Sequence, residues 1–331
     1  MSLYVIVGSG ATGSATARQL ADAGERVRLI SRRGTGPAHE RIELVAADAA
    51  DTAGLIELTT GAAALFNCAM PPYDRWPSEF PPLAAALLTT AERSGADYVM
   101  LGNTYGYGPV DGPVTEDLPL APTSVKGRVR ARLWHDARAA HEAGRVRVTE
   151  VRACDYLGAG ALSPFTLMVG AQVLSGEPVF YPGDLDAPHS WTYTEDAART
   201  LIAAARNADS WGRAWHVPST SQAPVRELAE RLASAASAPA PKLGRMTVAE
   251  LEEIGRTDSV MAEFPEMLYL YDRPSILDAS FTASVLNIAP TPIDVVLDEM
   301  AAAHDRPQES ASGAGPGTAR SGERRNTPGG F

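Results

Sequence analysis

Val5 to Leu20 read VIVGSGATGSATARQL, an apolar run followed by Gly8, Gly10 and Gly13 in the spacing G-x-G-x-x-G. The run before the glycines has the length and composition of a buried strand. Ala15, Leu20 and Ala23 then follow a helical pattern, Gly24 supplies its stop, and VRLI gives a second strand. A strand, a glycine turn, a helix and a second strand form the setting in which this spacing carries chemical meaning. Gly8 permits the tight turn, Gly10 lets backbone approach a pyrophosphate, and Gly13 lets the helix pack against the strand. The helix N-terminus offers unpaired N–H groups to phosphate oxygens, and Ser9, Ala11 and Thr12 complete the turn. The competing interpretation is a glycine-rich turn with no ligand, and the strand–helix context weighs against it.

The second strand selects the dinucleotide. An NAD site places Asp or Glu about 20 residues after the glycines, on the ribose 2′-hydroxyl. Here the strand ends LISRRGTG, with Ser31, Arg32 and Arg33 and no carboxylate. A guanidinium binds a 2′-phosphate bidentately, where a carboxylate would repel it. NADP(H) is therefore expected in preference to NAD(H), unless the two arginines are a solvated surface pair. Asp48, after the third strand, suits either the adenine amino group or a helix N-cap.

Further strands are expected at IELVAAD, ALFNCA, DYVMLG and VRVTEVRACDYLG. A helix in PPLAAALLTTAERSG has prolines at its start and Gly95 at its end. This alternation defines an α/β fold, a Rossmann doubly wound parallel sheet covered on both faces. After Gly158 the rhythm changes. SPFTLMVGAQVLSG, APVRELAERLASAA and TVAELEEIGRT read as helices of a smaller, mostly helical C-terminal substrate-binding subdomain. The expected division is residues 1–157, with 185–220 returning to the sheet, and residues 158–184 and 221–303 as the subdomain. Residues 304–331 are rich in Gly, Ser, Pro and Arg and read as a disordered tail.

Composition narrows the function. The chain has 331 residues, 45% hydrophobic and 21% charged, and a formal net charge of -11. An acidic surface argues against nucleic acid or an anionic membrane as partner. No apolar run reaches the roughly 18 residues of a membrane helix, and the N-terminus enters a strand at once, so a cytoplasmic protein is expected. Cys68 and Cys154 alone imply neither disulfides nor a zinc site, and no metal is expected. No G-x-S-x-G elbow surrounds Ser163 or Ser190, which disfavours a hydrolase.

Residues 1–303 resemble the extended short-chain dehydrogenase/reductases of the NAD-dependent epimerase/dehydratase group. The resemblance rests on VGSGATG, FNCA, MLGNTYGYG, Lys126, VRACDYLGAGA and HSWTYTEDAART. The glycine pattern departs from the G-x-x-G-x-x-G usual there and is closer to atypical members. The resemblance implies that Asn67, Cys68 and Ala69, and Cys154 and Asp155, lie along the cofactor. Either cysteine is equally read as a small buried hydrophobe.

The group's catalysis rests on a Ser or Thr, and on a Tyr and a Lys spaced Y-x-x-x-K. If Lys126 is that lysine, Pro122 stands where the Tyr should be, and Asn103 and Thr104 stand at the Ser/Thr position. Pro has no proton to give. Tyr105 is the first candidate for a substitute acid and Tyr107 the second, with Lys126 itself a third. Two other readings stay open: a substrate that needs no enzyme acid, or a non-catalytic NADP(H)-binding regulator. Tyr73, Trp76, Tyr105, Tyr156, Phe165, His189 and Trp191 are candidates for the substrate wall, each with core packing as its alternative. This aromatic set, with few charges, suggests an NADP(H)-dependent reductase of a carbonyl or imine on a small biosynthetic metabolite. The alternative enzyme is a nucleotide-sugar epimerase or dehydratase with tightly held cofactor. The expected partner is the small-molecule substrate alone, with a homodimer open to the chain.

Overall fold

The computed structural model describes residues 1–304. The tail reading therefore falls, apart from His304, outside the described residues. Seven parallel strands form the central sheet in the order β10-β6-β5-β4-β1-β2-β3. They are β1 (Leu3–Val7), β2 (Arg26–Ser31), β3 (Ile42–Ala46), β4 (Ala64–Asn67), β5 (Asp97–Asn103), β6 (Val148–Ala153) and β10 (Ala214–His216). Alternation along β1 sends Tyr4 and Ile6 to one face and Val5 and Val7 to the other. On the first face pack α1 (Ala11–Asp22) and α6 (Thr194–Arg206); on the second pack α2 (Thr52–Thr59), α3 (Trp76–Ser94) and α4 (Val125–Glu142). The doubly wound α/β reading is what the chain adopts.

A separate apolar cluster runs from Leu157 to Met300 and centres on Phe165, Trp191, Leu228, Leu232 and Leu297. It is built from β7 (Asp155–Leu157), α5 (Ala171–Ser175), β8 (Val179–Tyr181), β9 (Trp191–Tyr193), α7 (Val225–Ala235), β11 (Leu243–Arg245), α8 (Val248–Gly255) and α10 (Ile293–His304), while α9 (Ser280–Leu286) packs on the sheet side, against β10. Two small parallel pairs, β8 with β11 and β7 with β9, hold it beside the carboxyl edge of the sheet.

Several elements differ from the sequence expectation. The sixth strand breaks at Cys154: β6 keeps to the sheet, while Asp155 has left it and pairs with Trp191. The edge strand AWH was not expected, being only three residues long. The helix holding Pro81 and Pro82 begins earlier, at Trp76. The buried side chains of Trp76 and Phe80 hold that extra turn on the core, against the loss of the two intrahelical bonds that Pro81 and Pro82 cannot donate. The segment expected as one helix from Ser163 to Gly176 opens as a wide π turn over Thr166–Gly170 before α5. No helix among the described residues is long and apolar enough to cross a membrane.

The β10 edge is fixed by a buried polar chain. Glu150 accepts from Arg152 Nε at 2.7 Å, and Arg152 donates to the Tyr107 hydroxyl at 2.6 Å. Tyr107 in turn meets His216 Nε2 at 2.6 Å, and His216 Nδ1 meets the Asp278 carbonyl at 2.8 Å. A carbonyl only accepts, so Nδ1 carries the proton and Tyr107 donates to Nε2. Tyr107 is thus a structural tyrosine and not a proton donor facing the cleft. Burial pulls the His216 pKa down to about 4. The unfolded chain therefore binds the extra proton between the ordinary histidine value and about 4. Stability should be full above about pH 6.5 and fall below it, by up to about 1.4 kcal/mol per pH unit. Thermal melts from pH 7 to pH 4 of wild type and His216→Gln measure this, with the slope in that window reduced in the variant.

Candidate active site

The strand order reverses between β1 and β4, and the crevice outside their carboxyl ends is the expected ligand position in such sheets. The three glycines of the turn meet different demands. Gly8 has φ +107°, and a Cβ there would lie 2.5 Å from the Cys68 carbonyl oxygen. A Cβ on Gly13 would lie 1.9 Å from the Gly8 carbonyl oxygen. Gly10 meets nothing within 4 Å. It is the N-cap of α1, in extended conformation and with no side-chain cap. Two glycines are thus demanded by packing. The third leaves an open cradle in front of an uncapped helix N-terminus, which fits a pyrophosphate.

Around this turn, Thr12 is buried, Ser9 and Ala11 are half-buried, and the Ser9 carbonyl accepts from the Ser14 hydroxyl at 3.1 Å. Ser31 folds onto Thr35, whose N–H donates to its hydroxyl at 3.1 Å. Arg32 and Arg33 are exposed, and neither forms an ion pair among the described residues. Asp48 accepts from the Ala50 N–H at 2.9 Å, whereas Asp51 caps α2 by accepting from Gly54 N–H at 3.1 Å. The N-cap reading of Asp48 is thereby corrected. Asn67 is buried and donates to the Tyr98 hydroxyl at 2.8 Å; its carbonyl accepts from Ala69 N–H at 3.3 Å. Cys68 and Cys154 are half-buried, and burial raises both thiol pKa values, that of Cys68 to about 12. Both are neutral thiols, not nucleophiles.

The catalytic candidates gather at the ends of β5 and β6. The Asn103 side-chain oxygen accepts from Tyr105 N–H at 3.2 Å, leaving its amide N–H groups free to donate. Thr104 is buried and lines a small internal cavity of about 20 Å³ with Cys154 and Tyr269. The Tyr105 and Tyr73 hydroxyls lie within interaction distance, with Asp155 nearby. Burial, then the Asp155 charge for Tyr105 and the Tyr105 hydroxyl for Tyr73, raises both phenols well above the ordinary range. Asp155 is paired with His189 Nε2 at 2.8 Å, and the His189 ring stacks on Tyr271.

Lys126 is fully buried at the start of α4, which Ser124 caps. Its ammonium lies 4.4 Å from the centre of the Tyr73 ring, contacts Glu263, and stands 3.7 Å from Glu266. Glu266 also accepts from Val125 N–H at 2.6 Å, filling the N-terminus of α4. The ammonium is therefore held by carboxylates from the C-terminal segment, and by the Tyr73 ring, across the start of α4. Trp76, Phe165 and Trp191 are corrected. All three are fully buried, Trp76 against Tyr73 and Phe80, and Phe165 edge-on to Trp191. They are core and not substrate wall. Tyr73, Tyr105 and Tyr156 follow the carboxyl ends of β4, β5 and β6, and His189 reaches Asp155 beside Tyr156.

Sequence reading missed Glu263, Glu266, Tyr271 and Arg130. The first three come from a segment with no recognisable motif. Arg130 had a signal: it lies four residues after Lys126, on the same helix face.

A glycine turn at the switch point of a doubly wound sheet, with tyrosines and a buried lysine at the same carboxyl edge, is the architecture of a dinucleotide-binding fold. The chain belongs to the NAD dependent epimerase/dehydratase family, whose model matches residues 4–217. None of the curated proteins matches it in sequence. Among solved structures it is similar to a double mutant of DesIV, the dTDP-glucose 4,6-dehydratase from Streptomyces venezuelae, with NAD bound. The two are 22% identical over 92% of this chain and 97% of the other, with a TM-score of 0.74. It is also similar to UDP-glucuronic acid 4-epimerase from Bacillus cereus with NAD, at 18% identity, 91% and 96% coverage and a TM-score of 0.73. A dTDP-glucose 4,6-dehydratase from Bacillus anthracis with NAD aligns at 14% identity over 93% and 98%, with a TM-score of 0.75.

The glycines give a direct test. Gly10→Ala should keep the fold, within about 1 kcal/mol in a denaturant melt, yet weaken dinucleotide binding at least tenfold by titration. Gly13→Ala, colliding with backbone, should fail to give a stable protein.

Proposed function

We propose that this chain is a nicotinamide-dinucleotide-dependent enzyme that oxidises and re-reduces a hydroxyl-bearing carbon of a sugar-type substrate and retains its cofactor through turnover. One observation carries the proposal. An open, uncapped glycine turn after β1 and a buried Tyr73–Tyr105–Lys126 cluster after β4 and β5 lie at the same, carboxyl, edge of the parallel sheet. Its length supports the same reading, because both subdomains align with the dTDP-glucose dehydratases and the UDP-glucuronic acid epimerase over nearly their full extent. Sugar nucleotides are accordingly the first substrates to assay.

A bound dinucleotide would supply the hydride donor and acceptor. The chain's own residues handle the proton. Burial keeps Tyr105 a neutral phenol at neutral pH, able to donate to a substrate oxygen as that oxygen gains charge. Tyr73, whose ring lies 4.4 Å from the Lys126 ammonium, is the neighbour that interacts with the Tyr105 hydroxyl. The free amide N–H of Asn103 can steady the same oxygen. The Asp155–His189 pair presents a fixed acceptor edge for substrate hydroxyls.

A second reading is favoured by Arg32 and Arg33, exposed and without ion-pair partners among the described residues, at the end of a strand that lacks a carboxylate. It is NADPH-dependent reduction of a small carbonyl or imine with dissociable cofactor. Chromatography of nucleotide released from denatured protein separates the two. About one NAD(H) or NADP(H) per chain is expected for a retained cofactor. Nucleotide-free protein that consumes NADPH with carbonyl substrates would establish the second reading instead. Under either, Arg32→Glu should shift preference from NADP(H) towards NAD(H) by about tenfold or more. Tyr105→Phe should lower turnover by roughly 10²–10⁴-fold with cofactor content unchanged; wild-type turnover in that variant would remove Tyr105 from the proton path.

A further inference from the structure

Arg130 lies one turn beyond Lys126 on α4 and is half-buried, with its Nε enclosed. Its guanidinium carbon stands 4.6 Å and 4.7 Å from the ring centres of Trp76 and Phe80. One terminal nitrogen donates to the Leu101 carbonyl at 3.1 Å, and the other stands 3.9 Å from Met70 Sδ. Its Nε–H is buried and has no acceptor. The Tyr156 hydroxyl is likewise buried, near Cys68, Cys154 and Arg130, with the Thr12 side chain within reach as its neighbour. Arg130 Nε–H and the Tyr156 hydroxyl both keep hydrogen-bonding capacity that a ligand at this place would fill.

Their location says which part of the ligand. The adenosine half of a dinucleotide lies on the β2 side of the glycine turn, where Ser31 and Arg32 stand, and the other half crosses to the β4–β6 side. Met70 follows β4, Leu101 belongs to β5, and Tyr156 follows β6. Arg130 is thus held over the strands that receive the nicotinamide half.

Resting on the dinucleotide reading above, we propose that Arg130 and Tyr156, and not Lys126, hold the hydroxyls of the ribose next to the nicotinamide. Pro122 lies ahead of α4, so Pro122 and Lys126 do not share a helical face. Lys126 and Arg130 do, and they keep the same four-residue spacing one turn further on. A guanidinium suits the role because its planar fork of N–H donors spans two adjacent oxygens and it never loses its charge. That charge also draws the Tyr105 and Tyr156 phenols downward against the effect of burial. The spacing familiar from the family is therefore filled by a lysine facing the substrate subdomain and an arginine facing the cofactor.

The test is calorimetric titration of the full chain, stripped of nucleotide, with NAD⁺, NADP⁺ and ADP. ADP carries the adenosine and pyrophosphate but no second ribose. In Arg130→Met and in Tyr156→Phe, affinity for the preferred dinucleotide should fall about tenfold or more while that for ADP stays within twofold. Tyr156→Phe removes one oxygen only and serves if Arg130→Met does not fold. Equal losses for ADP and dinucleotide, or no loss in either variant, would overturn the proposal. So would a selective loss in Lys126→Met with none in Arg130→Met. A wild type that binds neither dinucleotide overturns the enzymatic reading itself, and this assignment with it.

Discussion

Everything at the site depends on how closely α1 approaches β1. A hydrogen atom, and nothing larger, fits between Gly13 and the Gly8 carbonyl oxygen. That contact brings the helix N-terminus up to the carboxyl edge of the sheet, at the reversal of strand order. The Gly8 N–H is tied to the Ile30 carbonyl at 2.9 Å, so the turn is also locked to β2. Side chains of α1 and α6 secure the other end, with Gln19 donating to Glu195 at 2.7 Å. The cradle at Gly10 is open because its two flanking glycines are spent on packing.

What the sequence made legible follows from range. The glycine turn, the strands of the first sheet half and the Asn103–Tyr107 loop are local patterns, and local patterns have periods and spacings that can be read. Arg32 and Arg33 were visible for the same reason, by the absence of a carboxylate at a known offset. The contacts that fill the cleft are not local. Lys126 meets Glu263 and Glu266 across some 140 positions of chain, and nothing in either segment announces the other. The aromatics expected at the substrate wall show the same limit. Trp76 and Trp191 have the composition of a pocket lining, but Phe80, Phe165 and the Ala223 carbonyl give them core partners that only the fold supplies.

Two buried polar assemblies flank the cleft and behave differently. The chain from Glu150 through Arg152, Tyr107 and His216 to Asp278 has a donor matched to an acceptor at every link. It ties the Tyr107 loop and the Asp278 segment to neighbouring strands β6 and β10. The group around Arg130 and Tyr156 keeps unused donors on its own.

The carboxylates of Glu263 and Glu266 occupy the Lys126 ammonium and the first N–H groups of α4, as a substrate anion would. The chain carries its own competitor. Any ligand that claimed this cation would have to displace carboxylates held beside it at an effective concentration set by the polypeptide and not by the solution. Its apparent affinity would be the intrinsic affinity discounted by the fraction of time those carboxylates stand away.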